Sequence, residues 1–160
     1  MEIKLTDNSP EFRAAMQEAA LRALEKCGLE AEKYAKSLCP VDTGNLRNSI
    51  SHRVNSEEPA AYVGTNSEYG AFVELGTGKY YSGGRQGWWV YVKGSNPPKG
   101  KKHGKIYTKE EALRIMMALR RKGLDAHITD GREPKPYLKP AVADHGKEYE
   151  AIIRGEMHGD

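Results

Sequence analysis

The segment from Cys39 to Ile50 constrains the fold most, because it must connect a long helix to a sheet within twelve residues. Pro40 ends the preceding helix, since the residue before a proline is disfavoured in the helical region. Asp42 is well placed to cap a new helical turn by accepting the amide of Gly44 or Asn45. The segment therefore predicts a helix end, a turn and a second helix start.

The residues before this segment predict one long helix. Ser9 is the expected N-cap, with Pro10 and Glu11 at the first two helical positions, where proline loses no hydrogen bond and a carboxylate faces the positive end of the helix dipole. Gly28 interrupts the helix at a cost of about 1 kcal/mol and allows a kink. Upstream, alternation over residues 3–5 predicts a short edge strand. The apolar face of the helix is formed by Phe12, Met16, Ala19, Ala23, Cys27, Ala31, Tyr34 and Leu38.

A hairpin and a short helix are expected next. Apolar residues alternate with polar ones from Ile50 to Val54, which predicts a half-buried strand, and Ala61 to Thr65 is the expected return strand. Ser67 is the expected cap of a helix from Glu68 to Leu75, and Gly76 follows in position for a left-handed C-cap.

The second half of the chain predicts a helix between two paired strands. Trp88 to Val92 has the aromatic and β-branched content of a strand. Thr108 and Glu111 form the pattern of a capping box, which opens a helix that Gly123 closes. Ala126 to Thr129 is the expected partner of the tryptophan strand.

A final helix completes a prediction of the α+β class. Its apolar stripe is Leu138, Val142, His145, Tyr149 and Ile152. His145 in that stripe is expected to be packed or partly exposed rather than a ligand. We expect a single domain over residues 1–160, in which the long N-terminal helix packs on a small antiparallel sheet. Residues 78–133 form a projecting hairpin arm, or insertion, with a helix near 109–122.

Composition favours a soluble protein of the cytoplasm. The chain has 160 residues, of which 38% are hydrophobic, and no apolar run approaches the roughly 20 residues that cross a bilayer. The first residues lack the layout of a signal peptide. Cys27 and Cys39 lie about 18 Å apart along one helix, whereas the Cα atoms of a disulfide lie within about 7 Å. Both are therefore expected to be free, buried thiols.

Asp42-Thr43-Gly44 is also the tripeptide of an aspartic protease. That class needs two copies, on strand-borne loops, so that paired carboxylates share a proton. A homodimer could supply both copies. However, a helix and Cys39-Pro40 precede the tripeptide here, Asn45 follows it, and Asp42 has a role as a cap. The protease is therefore a distant alternative.

No pattern for a metal, a cofactor or a phosphate-binding loop is present in the sequence. The five histidines have no ligand spacing, and no Cys-x-x-Cys pair occurs. Gly83-Gly84-Arg85 lacks the Lys-Ser/Thr of a phosphate-cradling loop. We therefore expect no metal and no cofactor.

The segment from residue 79 to residue 109 is strongly basic. It carries eight lysines and arginines and no acidic residue. Aromatic residues lie between these cations, so the segment could follow a phosphate backbone or dock on an acidic protein. The alternative is solvated loop charge. The candidate contacts are Lys99, Lys101, Lys102 and Lys105.

Three motifs together resemble the gene-product-ten family of tailed phages, whose members are head–tail joining or tail completion proteins. They are Pro40-Val41-Asp42-Thr43-Gly44-Asn45-Leu46-Arg47-Asn48-Ser49-Ile50, then Tyr69-Gly70-Ala71-Phe72-Val73-Glu74-Leu75-Gly76-Thr77-Gly78, then Pro136-Tyr137-Leu138-Lys139-Pro140-Ala141. The resemblance implies an α+β fold, no catalysis, and action by assembly. The chain departs from the family's short hairpin between residues 95 and 126, so the resemblance assigns no role to the inserted helix.

The resemblance also implies partners and residue roles. Copies of the chain would form a ring in the virion neck, between a portal or adaptor protein and a tail-tube or tail-terminator protein, after assembly in the host bacterial cytoplasm. DNA contact is an option, and no membrane is involved. The expected framework residues are Asp42, Thr43, Gly44, Leu46, Ile50, Glu74, Gly76 and Thr77. The expected interface residues are Trp88, Trp89 and Tyr91, since aromatic residues dominate such contacts, although a buried core position is the alternative for the tryptophans.

Overall fold

A computed structural model describes residues 7–94 and 105–158 of the protein. The chain divides into two compact units. Unit 1 comprises Met1–Gly70 and Pro136–Asp160, and unit 2 comprises Ala71–Lys135. The α+β class predicted from the sequence is confirmed. That the chain acts as a single domain stays a prediction.

Unit 1 is built on α1, a helix of 30 residues from Ser9 to Leu38. The predicted cap at Ser9 is wrong by one residue, because Asn8 precedes the helix and makes no side-chain cap bond. The amide of Ser9 instead donates to Oδ1 of Asp7 at 2.9 Å. The helix ends at Leu38 as predicted, and Gly28 does not interrupt it.

Small side chains line the buried face of α1. Ala19, Ala23, Cys27, Ala31 and Ala35 are each at most 9% exposed. Both cysteines are free and buried, as expected. Because small side chains project little, neighbouring backbones can approach this face of α1 closely.

A hairpin packs against α1. Strand β1, Ile50–Asn55, pairs antiparallel with β2, Ala60–Thr65, in the register that places Ile50 opposite Thr65 and Asn55 opposite Ala60. Ile50 is 1% exposed, and burial alternates along the first five residues of β1. The predicted half-buried strand is therefore confirmed.

The C-terminal part of unit 1 contains two helices where one was predicted. Helix α5 is Leu138–Ala143, and the amide of Asp144 at its end donates a hydrogen bond to the carbonyl of Pro140. Helix α6, Gly146–His158, follows. His145 lies in this break, beside a glycine that favours helix only weakly. The aromatic Tyr137 is fully buried just before α5.

The connection between α1 and β1 corrects the prediction for Asp42. Helix α2 is Asn45–Ser49, and its N-cap is Gly44 in the left-handed conformation, with φ of 84° and no side-chain cap bond. The helix therefore starts beyond the reach of the exposed Asp42, whose predicted role as a cap is wrong. Thr43 makes a long contact instead, with Oγ1 3.5 Å from the amide of Asn45.

Unit 2 contains two pairs of strands and a helix. Strand β4, Trp89–Val92, pairs antiparallel with β5, Ala126–Thr129, which confirms the predicted pairing. Strands β3, Thr77–Gly78, and β6, Gly131–Arg132, form the second pair. Helix α4, Lys109–Arg121, packs on β4 and β5.

The capping box of α4 is confirmed. The amide of Glu111 donates to Oγ1 of Thr108 at 3.3 Å, and the amide of Thr108 donates to Oε2 of Glu111 at 3.0 Å. Gly123 follows the helix with φ of 79°, as expected for a left-handed closing residue. Ala112, on the inner face of the helix, is fully buried.

The short helix near the start of unit 2 begins later than predicted. Helix α3 is Gly70–Leu75, because the carbonyl of Ser67 accepts the amide of Gly70 and holds the two residues between them in a turn. The left-handed Gly76 after it is confirmed, with φ of 77°. The predicted strand over residues 3–5 and the cations Lys99, Lys101 and Lys102 lie outside the described residues. Among the helices that are described, none is both long enough and apolar enough to cross a bilayer.

Candidate functional site

The Gly76-Thr77-Gly78 motif contains β3, which pairs antiparallel with β6. Oγ1 of Thr77 accepts the amide of Arg132 at 3.0 Å. A Cβ atom on Gly76 would lie 2.9 Å from the carbonyl oxygen of Arg132. Gly78 and Gly131 have φ of 60° and 134°, and a side chain on either would overlap the backbone of the opposite strand. The motif thus fastens the beginning of unit 2 to its end.

Two large apolar side chains of α3 are exposed. Phe72 is 59% exposed and Leu75 is 51% exposed. Residues three positions apart on a helix share a face, so together they form an apolar ridge, called here the α3 ridge. The cation Arg132 ends β6, and Lys135 follows it in a segment that lies beside α3, where the amide of Lys135 donates to the carbonyl of Val73 at 2.8 Å. Neither cation forms an ion pair with a residue that the structure describes.

Unit 1 contains an apolar cleft of about 130 Å³, called here the α1 cleft. Helix α1 forms its floor, β2 forms one wall, and α5 and α6 form the other. Tyr62, Val142 and Ile153 on the two walls are 56%, 51% and 41% exposed. The residues that line the cleft are Leu24, Cys27, Gly28, Ala31, Ala61, Tyr62, Val63, Val142, Tyr149 and Ile153.

A histidine cluster holds β1 to α1. Nδ1 of His52 lies 2.5 Å from Oε2 of Glu32, and Nε2 lies 3.2 Å from Oε1 of Glu25. The hydrogen bond to Glu32, followed by that to Glu25, raises the pKa of His52. Lys36 and then His52 lower the pKa of Glu32. The His52 ring packs directly over Gly28. A side chain at position 28 would occupy the space that the ring fills.

A second polar cluster joins α1 to the C-terminal helices. The ring of His145 stacks on Tyr34, with centroids 3.4 Å apart and planes within 8°. The Tyr34 hydroxyl donates to Oε2 of Glu148 at 2.5 Å, which raises the pKa of Tyr34 to about 12. These contacts give His145 a packing role. No group of three or more histidine, cysteine or acidic residues in the described chain could hold a metal ion.

The three predicted interface aromatics lie together near β4. Trp88 pairs with Tyr107 through two backbone hydrogen bonds of 3.0 and 2.9 Å, and Lys109 lies over its ring at 5.4 Å. Trp89 is half-buried, whereas Tyr91 is 50% exposed and stacks on His127. Of these aromatics, Tyr91 presents the most accessible face.

Charge is divided unequally between the two units. Unit 2 contains 14 lysines and arginines and six acidic residues, a formal charge of +8. Unit 1 contains 11 lysines and arginines and 16 acidic residues, a formal charge of −5. The exposed Lys105 lies over the ring of Tyr107 at 5.3 Å. On α4 and just after it, Arg114, Arg121 and Lys122 are exposed, with no ion pair among the described residues.

Sequence reasoning missed two of these features. His52 was seen only as one of several scattered histidines, because its glutamate partners precede it by 20 and 27 positions. Phe72 lies in a six-residue helix, and the pattern of so short a helix does not tell a buried face from an exposed one. The exposure of a large apolar residue becomes informative only in the folded chain.

Comparison with known proteins finds a similarity to one family of phage proteins. Residues 4–76 match the family described as "Bacteriophage HK97-gp10, putative tail-component". Over this part, which contains α1, α2, β1, β2 and α3, the chain is similar to that family, which confirms the resemblance to the gene-product-ten family. A tail component has a structural role in the virion and contacts other virion proteins. Searches of curated proteins and of solved structures found no match.

Proposed function

We propose that the protein is a structural, non-enzymatic part of the head–tail connector of a tailed phage or prophage. It acts by assembling as a ring of copies between the portal complex, or its adaptor, and the tail tube or tail terminator. The observation that carries this proposal is the family match over residues 4–76. The neck of the virion is then its final location, and the host cytoplasm is the place of its assembly.

Several motif residues support a role as framework within such a part. Leu46 and Ile50, in the segment that connects α1 to β1, are only 5% and 1% exposed. Gly44 supplies the left-handed turn that starts α2. Gly76 and Thr77 fasten the ends of unit 2. These roles explain the motifs by geometry and need no chemistry from Asp42.

Loss of the gene tests the connector. We expect DNA-filled heads and separate tails in lysates of the deleted phage, visible by electron microscopy, and restoration of joined virions by a plasmid copy. A plasmid that encodes the Asp42→Asn variant should restore joined virions equally well, because a structural connector needs no catalytic carboxylate at this position. Normal virions from the deleted phage would overturn the proposal, and failure of Asp42→Asn with normal folding would revive the protease alternative.

DNA contact by unit 2 is a second candidate, favoured by its formal charge of +8 and by cations on α4 that form no ion pair within residues 7–94 and 105–158. Charge reversal of Lys99, Lys101, Lys102 and Lys105 should abolish salt-sensitive retention on immobilised duplex DNA. Lys147→Glu, a reversal of an exposed cation on α6, is the matched control and should retain binding. Absence of retention by the unaltered protein at low salt would remove this candidate.

A further inference from the structure

We propose that the α3 ridge of one copy docks into the α1 cleft of a second copy. This inference rests on the proposed function and names the contact between neighbouring subunits of the ring. The ridge belongs to unit 2 and the cleft belongs to unit 1. The contact is therefore between two different surfaces.

The sizes and chemistry of the two surfaces match. An apolar cavity of about 150 Å³ in another protein binds benzene, and the α1 cleft offers about 130 Å³ between apolar walls. Phe72 presents a phenyl ring that is 59% exposed. Exposed aromatic side chains that enter a pocket dominate the energy of many protein interfaces. Phe72 is thus the expected anchor, with Leu75 beside it.

Charge favours a second copy as the occupant. The ridge lies on a unit of formal charge +8, and the cleft lies on a unit of formal charge −5. Glu57 and Glu58 form the turn that leads into the cleft wall, and Asp144 follows Val142 of the opposite wall. These three carboxylates are exposed and form no ion pair among the described residues. They complement Arg132 and Lys135 beside the ridge.

Contact between two different surfaces has a consequence for assembly. In a linear row of copies joined head to tail, the ridge at one end and the cleft at the other stay unfilled. These two meet, and the row becomes a closed ring, if the rotation from each subunit to the next adds up to a full turn. An isologous contact would stop at the dimer. The ridge and the cleft thus supply the type of interface that a ring requires.

Two single variants test the contact. Phe72→Glu removes the ridge anchor, and Ile153→Glu places a charge in the cleft wall; both positions are substantially exposed, so the fold should be retained. Each should weaken self-association, measured by sedimentation velocity over a range of concentrations, by more than about tenfold. Leu29→Glu and Met117→Glu alter equally exposed apolar residues outside both surfaces and should associate as the unaltered protein does.

Mixing the two variants gives the sharper result. Phe72→Glu retains a working cleft and Ile153→Glu retains a working ridge, so their mixture should form a heterodimer and nothing larger. Because Cys27 lines the cleft, the cross-linking test uses chains that carry Cys27→Ala. Phe72→Cys mixed with Ile153→Cys in this background should likewise give a disulfide-linked dimer on oxidation, and each alone should not; the remaining native cysteine, Cys39, is buried. A mixture that stays monomeric, or an unaltered protein that is monomeric at every concentration, would overturn the inference.

The outcomes separate this inference from the proposed function. If deletion of the gene prevents head–tail joining but a Phe72→Glu copy restores it fully, the connector role stands and this contact is wrong. If deletion leaves joining intact, the connector role fails whatever the mixing experiment shows.

Discussion

Replacing Gly28 with alanine is expected to destabilise the protein, although alanine is the better helix former. Gly28 lies within α1, beneath the ring of His52. An added Cβ atom would lie 2.7 Å from Cδ2 and 3.2 Å from Cγ of that ring. The ring cannot move aside freely, because Glu32 and Glu25 hold its nitrogens at 2.5 and 3.2 Å.

Two opposing effects set the magnitude. Alanine gains about 1 kcal/mol of helix propensity over glycine. Overpacking costs about 1–3 kcal/mol, and loss of a hydrogen bond to a charged group costs about 1.5–3 kcal/mol. The side chains of His52 and Glu32 are only 13% and 18% exposed, so solvent replaces their bond poorly. The two costs are alternatives, because a ring that stays in place is overpacked and a ring that moves aside loses its bond. We therefore expect Gly28→Ala to lower the free energy of unfolding by up to about 2 kcal/mol.

The same substitution should have the opposite sign when His52 is alanine. No ring then lies over residue 28, so Gly28→Ala should raise the free energy of unfolding by up to about 1 kcal/mol. The four proteins form a double-mutant cycle whose interaction energy reports the ring contact alone. The reasoning is refuted if Gly28→Ala stabilises both backgrounds equally.

Urea unfolding followed by far-UV circular dichroism suits this test, because the 30 residues of α1 dominate the helical signal of unit 1. Tryptophan fluorescence is a separate reading, since Trp88 and Trp89 are the only tryptophans and both lie in unit 2. A shift of the circular dichroism midpoint by Gly28→Ala with an unchanged fluorescence midpoint would locate the effect in unit 1.

Two further predictions follow from the same contacts. Because Glu32 raises the pKa of His52 above its ordinary 6.5, the stabilisation from this pair is complete below about pH 6.5 and is lost as pH rises through the folded-state pKa. Glu32 has a lowered pKa, so its contribution is present above its ordinary 4.5 and is lost as pH falls through the folded value. His52→Gln should flatten the upper part of the profile of urea midpoint against pH, and an identical slope in the variant would contradict the assignment. Thr108→Ala should lower the free energy of unfolding, measured by tryptophan fluorescence, by about 1 kcal/mol, because Thr108 caps a helix. Asp42 caps none, so Asp42→Ala should change the free energy of unfolding by less than about 0.5 kcal/mol. Equal losses in the two variants would contradict these roles.

The sequence predicted those features whose chemistry is local. Pro40 ends α1, Thr108 and Glu111 cap α4, and Gly76 closes α3, because each effect acts within a few residues along the chain. The hairpin was also predictable, since its side chains alternate between a buried and an exposed face.

Features that depend on distant residues were not predictable. Asp42 fits the composition of a cap, yet the left-handed backbone of Gly44 moves the start of α2 beyond it. The contact of His52 with Glu25 and Glu32 depends on how β1 crosses α1. The ridge at Phe72 is likewise a property of the folded chain, because exposure depends on what packs nearby.

The pairing of β3 with β6 encloses the interior of unit 2 between two chain segments that lie side by side. The amide of Lys135 bonds the carbonyl of Val73 at 2.8 Å, and the amide of Lys79 bonds the carbonyl of Asp130 at 3.1 Å, so the chain enters and leaves at one place. A doubling of the enclosed length costs only about 0.6 kcal/mol in loop-closure entropy. The segment between residues 79 and 130 of this chain can therefore change in length at a small entropic cost while the pairing of β3 with β6 is kept.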